Sequence, residues 1–325
     1  MKKTVAVVYG GRSGEHEISI RSAKAILAAL DREKYEVREI FITKAGEWQP
    51  GPLLPQPGAN GAIDVVFPAL HGTFGEDGTM QGLLELADLP YVGPGVLGSA
   101  LAMDKEVMKR ICRAHGLPVV DFATQFRGQI DAEAIEAKFG YPVFVKPANL
   151  GSSVGVAKAK DRAQLETALA AASEFDTKII IERAVSGREF ECSVLGNDPL
   201  EASIPCEILP SREFYDYDDK YLLDKAVIEL PAKLSLEQTV ELRALAVAAC
   251  RACEVQGMSR VDFLMDGATG QLFVNEVNTI PGFTSISMFP KMWEHTGVPY
   301  SALLDRLISL ALERHETKKA TRYSK

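Results

Sequence analysis

The chain has 325 residues, enough for two or three domains, and its 46% hydrophobic and 25% charged content is that of an ordinary globular protein. A net charge of −8 excludes a general nucleic-acid surface and leaves room only for local basic sites that hold phosphates. No run approaches ~18 apolar residues, and the N-terminal run from Val5 to Tyr9 is too short for a signal-peptide core, so a cytoplasmic protein without a membrane span is expected.

Thr4 to Tyr9 is a continuous apolar run ending at Gly10-Gly11, as in a buried parallel strand. Ser13 to Glu17 then leads into an amphipathic helix carrying Ile18, Ala23, Ile26 and Leu30. A strand, a glycine turn and a helix start present free backbone N–H groups, an anion-binding geometry. The glycine spacing is wrong for the dinucleotide fingerprint, and Glu15 at the helix start also suits plain capping. Tyr35 to Ile42 and Asp64 to Leu70 are further strands, separated by a Pro- and Gly-rich loop over residues 48–61. The third strand ends at His71, on the side where open α/β sheets bind ligands. His71 is a candidate phosphate or carboxylate partner, or else a structural histidine. Met80 to Ala87 reads as a short helix and Gly98 to His115 as one longer helix.

Asp131 caps a helix running to Phe139. Tyr141 to Pro147 reads as a strand, followed by the loop Ala148 to Val156, rich in Gly and Ser, and a second strand. Lys146 at the strand end and the loop's N–H and hydroxyl groups resemble a phosphate cradle built on a hairpin. It is not a Walker A loop, because the G-x-x-x-x-G-K-[ST] order is absent. Asp161 to Ala172 is helical, and strands follow at Thr177 to Glu182 and Phe190 to Leu195. Glu182 and Glu189 at their ends are candidate acceptors for an exocyclic amine and ribose hydroxyls. Ser211 to Tyr221, polar and rich in aromatic residues, has the length of a lid. A Ser235-capped helix runs to Val255; its Cys250 and Cys253 have CxxC spacing but no companion pair, so they read as core residues. The five cysteines in all suggest no disulfide framework. Tyr300 to Glu313 is the last helix, and residues 314–325 read as a frayed tail.

Between these helices lies the stretch with the most chemistry. Arg260 to Leu264 and Phe273 to Asn278 read as two strands joined by a Gly-containing turn. Side chains two apart share a face, so Arg260 pairs with Asp262 and Glu276 with Asn278. If the two faces coincide, two carboxylates and an amide oxygen converge beside an arginine. Such hard oxygens suit Mg²⁺ held together with substrate phosphates. A solvated outer face of a hairpin is the plain alternative.

Lys146 with its hairpin, Glu182 to Glu189, and Asp262 with Glu276 and Asn278 stand in an order that resembles the ATP-grasp superfamily. Within it, the segments Gly10-Gly11…Ser13…Glu15…Glu17-Ile18-Ser19, His71-Gly72…Gly75-Glu76-Asp77-Gly78-Thr79, Met103-Asp104-Lys105, Gly151-Ser152-Ser153, Tyr215-Asp216-Tyr217…Lys220-Tyr221, Arg260-Val261-Asp262 and Asn275-Glu276-Val277-Asn278-Thr279…Pro281-Gly282-Phe283-Thr284 resemble the D-alanine–D-alanine ligase family. The resemblance implies α/β and α+β architecture: an N-terminal parallel-sheet α/β domain followed by a two-domain ATP-grasp fold. Its expected divisions are an N-terminal substrate domain over 1–97, a central subdomain over 98–184, and a C-terminal subdomain with the lid over 185–325.

The family's roles carry over position by position. Lys105 and Lys146 would hold ATP phosphates, Glu182 and the Val185 backbone the adenine, and Glu189 the ribose, with Ser153 and Lys220 also binding ATP. Asp262, Glu276 and Asn278 would hold two Mg²⁺ (or Mn²⁺). Glu15 would anchor the ammonium of the first D-alanine and, with Ser152 and Tyr221, tie the lid down. Arg260 and the Gly282 N–H would face an oxyanion, Ser287 would hold the second carboxylate, and His71 and Tyr215 would line the substrate site. The implied activity joins two D-alanines through an acyl phosphate for peptidoglycan precursors, in a homodimer formed through the N-terminal domain. Another ATP-grasp ligase of different amino acids, or a non-catalytic ATP sensor, are the rivals. Glu15 and the lid motif argue against the first and Arg260 against the second.

Overall fold

A computed structural model of the chain describes residues 2–209 and 227–322. The segment expected to act as a lid therefore lies outside the described residues, and with it Tyr215, Lys220 and Tyr221. Four strands, β1 (Lys3–Gly10), β2 (Tyr35–Ile42), β3 (Trp48–Gln49) and β4 (Val65–Ala69), form the first sheet in the order β3-β2-β1-β4. β1 is parallel to both β2 and β4, as its uninterrupted apolar sequence requires of a strand covered on both faces. Val5 and Val7 face a core shared with α1 (His16–Ala29), while Ala6 and Val8 face a second core with α2 (Thr79–Leu86). The 48–61 stretch is not all loop, because Trp48-Gln49 pairs antiparallel with Phe41 and Ile42. At the end of β1, Gly10 has φ +93, and a Cβ there would meet the Ile42 carbonyl oxygen at 2.1 Å. Only glycine allows the turn into α1.

The second sheet contains β5 (Phe122–Phe126), β6 (Val143–Pro147), β7 (Ala157–Ala159) and β8 (Lys178–Arg183), antiparallel in the order β5-β8-β6-β7. Period-two alternation decides its two faces. Val143, Val145, Ile179 and Ile181 are fully buried under α5 (Ala132–Phe139) and α6 (Arg162–Phe175). Each such side chain contributes roughly 1.5–3 kcal/mol on burial. Phe144, Lys146 and Glu182 stand on the opposite face, with Phe144 directly across from Glu182.

The third sheet has β9 (Gly187–Gly196), β10 (Glu201–Ala202), β11 (Cys206–Leu209), β12 (Val227–Glu229), β13 (Gly257–Asp266) and β14 (Leu272–Asn278), in the order β12-β11-β9-β13-β14 with β10 beside β9. Phe190, Cys192, Val261 and Phe263 pack one face against α7 (Leu236–Ala252), which opens with a capping box between Ser235 and Gln238. Cys250 and Cys253 are free and buried in this core.

Two expected helix boundaries also fail. The helix expected over 98–115 is two: α3 (Val96–Met103) and α4 (Lys105–Ala114), broken at Asp104. Asp104 adopts an extended backbone and accepts a hydrogen bond from the Val107 N–H at 3.1 Å, so it caps α4 rather than riding within a longer helix. The tail is not frayed at 314 either. After α8 (Met288–His295), α9 runs from Tyr300 to Lys319. Its Arg314 donates to the backbone oxygens of Gly93 and Tyr91 and stacks on the Tyr91 ring at 4.5 Å. Charge hid this anchor from a reading by apolar periodicity.

Candidate active site

The hairpin of β13 and β14 sets the site. Its register places Asp262 directly opposite Glu276 and Arg260 opposite Asn278, so the four side chains share one face. A bulge follows Asp262, which confines this alignment to the start of the strand pair. Arg260 donates twice to Asp262, Nε to Oδ1 and Nη2 to Oδ2, both at 2.7 Å. The Asn278 amide donates to Asp262 Oδ2 at 3.0 Å. Burial opposes the Arg260 charge, but Asp262 and Glu191 overcome it and raise its pKa. Glu191 stands opposite Asp262 on β9, with Oε1 3.4 Å from Arg260 Nε. It was not among the expected site residues, although its position two after Glu189 puts it on the same face.

Lysines of α4 and β6 meet these carboxylates. Lys105 Nζ lies 2.7 Å from Glu276 Oε1 and donates to the Leu150 carbonyl at 2.6 Å, joining the third sheet to the Gly/Ser hairpin loop. Lys146 Nζ donates to Glu182 Oε2 at 2.6 Å and to Asn275 Oδ1 at 3.4 Å. Lys109, also unexpected, places Nζ 2.9 Å from Glu182 Oε1. Burial alone would lift the Glu182 pKa, but the two lysines hold it down at about 2. Val185 lies in the link between β8 and β9, and Glu189 stands opposite Leu264 near the start of β9.

A cleft of about 410 Å³ opens beside this face. Glu15, His71, Ser152, Arg260, Gly282 and Ser287 all line it, together with Glu276 and Asn278. Glu15 sits at the N-cap of α1 but makes no side-chain capping bond; its Oε1 accepts a hydrogen bond from Ser152 Oγ across the cleft. Ser152 and Ser153 hold φ of +53 and +59, a left-handed backbone that non-glycine residues adopt at a cost. His71 is fixed at both ring nitrogens: Nδ1 lies 3.0 Å from the Ile280 carbonyl and Nε2 2.9 Å from Ser22 Oγ. Burial lowers its pKa, so the neutral ring donates to Ile280 and accepts from Ser22. That is the structural role weighed for it, and it fixes the loop bearing Gly282 against α1. Ser287 Oγ is 2.9 Å from the Thr284 N–H, which donates to it.

Among the described residues, no cluster of three or more His, Cys, Asp or Glu side chains is placed to hold a metal ion. The set expected for Mg²⁺ has two carboxylates and one amide. Asp262 and Glu276, opposed across one strand pair, supply hard oxygens of the right chemistry for a cation shared with phosphates. Arg260 neutralises the first and Lys105 the second.

Two antiparallel sheets, one carrying Lys146 with Glu182 and a Gly/Ser hairpin loop, the other carrying Arg260 with Asp262 and Glu276 and tied to that loop by Lys105, define an ATP-grasp ligase. Residues 4–62 and 53–94 match the family model for the D-ala D-ala ligase N-terminus, and residues 111–309 match that for the C-terminus. The chain is 62% identical over 325 residues to a D-alanine–D-alanine ligase of Solibacter usitatus, covering 100% of both chains. It is 51% identical over 353 aligned positions to one of Thermoanaerobacter sp. strain X514, with 98% of each covered. Among solved structures, the D-alanine–D-alanine ligase of Coxiella burnetii is similar at a TM-score of 0.89 and 38% identity, covering 98% of this chain and 96% of that one. The VanG D-Ala:D-Ser ligase of Enterococcus faecalis is similar at 0.88 and 36%, covering 96% and 100%. The chain belongs to the D-alanine–D-alanine ligase family. Among the described residues, no helix is long and apolar enough to cross a membrane.

Proposed function

We infer that the protein uses ATP to join two D-alanines into D-alanyl-D-alanine, for peptidoglycan precursor synthesis in the cytoplasm. The observation that carries this reading is the register of β13 on β14, which gathers Arg260, Asp262, Glu276 and Asn278 on the face that Lys105 links to the Gly/Ser hairpin. Residues 1–97, 98–184 and 185–325 act as an N-terminal substrate unit and the two halves of an ATP clamp. We propose a homodimer through the N-terminal unit, where Leu86 and Leu97 are 65% and 58% exposed; light scattering at a monomer's mass would dismiss it.

A free carboxylate resists attack by an amine because its oxygen is a poor leaving group. Transfer of the γ-phosphoryl group of ATP to the first D-alanine carboxylate, with ADP leaving, creates an acyl phosphate. That transfer needs alignment and charge neutralisation more than covalent help. Lys105, Lys146 and Ser153 bind the phosphates, Glu182 and Val185 read the adenine, and Glu189 the ribose. Glu15 anchors the first ammonium, held in place by Ser152. The amine of the second D-alanine, its carboxylate on Ser287, attacks the acyl carbon and phosphate departs. Arg260 and the Gly282 N–H stabilise the tetrahedral oxyanion; removing one such donor costs ~10²–10³ in rate. Asp262, Glu276 and Asn278 would hold Mg²⁺ or Mn²⁺, which when bound offsets negative charge on the transferring phosphoryl group. Tyr215, Lys220 and Tyr221 act from the lid segment.

The test is phosphate release that requires ATP, Mg²⁺ and D-alanine together, with the product's chirality checked and D-serine, D-lactate and L-amino acids run as rival substrates. ATP binding without phosphate release on adding D-alanine would sink the reading, and release with another amino acid alone would reassign the substrate.

A further inference from the structure

α4 carries a lysine that none of the roles above uses. Lys109 follows Lys105 by four residues, so both project from one face of the helix. Lys105 reaches the third sheet at Glu276, whereas Lys109 reaches the second at Glu182. The Glu182 carboxylate thus has a cation on each oxygen, Lys109 at 2.9 Å and Lys146 at 2.6 Å. The two lysines differ in freedom. Lys109 is 0% exposed, and its neighbours Met108 and Cys112 are sealed in the core under α7. Lys146 keeps 14% exposure and already extends to Asn275.

Two cations on one enclosed carboxylate exceed what neutralisation needs. The excess has a use if one of them departs. A buried carboxylate stripped of its last partner is strongly destabilised, so a carboxylate with a single lysine resists giving it up. We propose that Lys109 is a positioning residue, a permanent counter-ion for Glu182 that lets Lys146 exchange its carboxylate for the phosphates of the nucleotide. This rests on the ATP-dependent reading above.

The exchange matters only for ligands that carry phosphate, which gives a readout that plain structural support would not move. Binding of ADP with Mg²⁺ and of adenosine is measured by calorimetry on the full chain, and the ratio of the two affinities is compared among variants. In Lys109→Met the ADP-to-adenosine ratio is expected to fall about 10- to 100-fold. Adding Glu182→Gln, which needs no counter-ion, is expected to bring the ratio back within about threefold of the parent, because the adenine contact cancels. A ratio unchanged in Lys109→Met, or still tenfold low in the double variant, overturns the proposal. If Lys109→Met does not fold, the double variant decides by the same criterion. The thermal melt of Lys146→Met gives a further check: a stability close to the parent's supports Lys109 as sufficient counter-ion, and a large loss overturns it. Failure of the unmodified protein to bind ADP would instead remove the ATP-dependent reading itself.

Discussion

Gly72→Ala tests Glu15 as the proposed anchor for the first D-alanine. Gly72 has φ +73, and a Cβ there would lie 2.6 Å from Glu15 Oε2. The left-handed backbone costs alanine about 1–2 kcal/mol, a stability effect alone. The contact acts on the site. Glu15 Oε2 must retreat by about 0.8 Å to restore ordinary contact at 3.4 Å. That motion pulls the carboxylate from the Ser152 hydroxyl that holds Oε1. A hydrogen bond to a charged group contributes roughly 1.5–3 kcal/mol, so the affinity of the first ammonium site falls about 10- to 100-fold. Initial rates of phosphate release, fitted for both D-alanine sites and for ATP, measure it. The expected pattern is a raised KM for the first D-alanine, an unchanged KM for ATP, and a melting temperature lowered by a few degrees. If the first-site KM stays within twofold while the protein loses stability, or if the KM for ATP rises in parallel, Glu15 is not the anchor.

Arg260→Lys keeps the charge but can make only one of the two 2.7 Å bonds to Asp262; kcat is expected to fall about 10²-fold with little change in KM for ATP. A kcat within threefold of the parent would refute the oxyanion role. Burial and the nearby Glu15 push Glu76 up to about 8. Its folded pKa lies above the unfolded value of 4.5, so the native state keeps a proton that the unfolded chain releases, and stability falls as pH rises from 4.5 through about 8. The melting temperature of Glu76→Gln relative to the parent should therefore climb between pH 5 and pH 9, and a gap that does not vary with pH would contradict this. Chelation with EDTA should abolish D-alanine-dependent phosphate release and added Mg²⁺ or Mn²⁺ should restore it; Glu276→Gln should raise the Mg²⁺ needed for half-maximal rate about 10-fold or more. Arg314→Ala removes two backbone hydrogen bonds and the Tyr91 stack, and should cost about 2–4 kcal/mol in denaturant unfolding with kcat unchanged.

Strand parity carried most of what the sequence made legible. Arg260 and Asp262 alternate with Val261 and Phe263, and Glu276 and Asn278 flank Val277, so period two puts each strand's polar pair on one side, and the register then brings the two pairs together. The same parity reveals Glu191, once Glu189 is taken as a cleft residue. Lys109 was hidden because a charged residue in a helix reads as solvent-facing, yet its four-residue offset from Lys105 is the signal that finds it. The break at Asp104 was hidden because helix-forming residues run up to Met103 and resume at Lys105 with no Gly or Pro at the junction. Which lysine meets which carboxylate depends on how the two sheets face each other, and no local pattern encodes that. Arg314 is the same case at larger scale, joining α9 to the turn at Gly93 more than two hundred residues earlier.

The pairing of Lys105 with Glu276 and Arg260 with Asp262 means that these opposite charges already answer one another. A bare phosphate arriving there must strip cations from carboxylates and strand the latter, and a bare divalent ion must do the reverse. A magnesium nucleotide brings both signs and can trade partners on each side in one event. Such an exchange of charges favours the complete complex over its separated parts, so inorganic phosphate and uncomplexed magnesium should compete poorly for a site proposed to bind their combination.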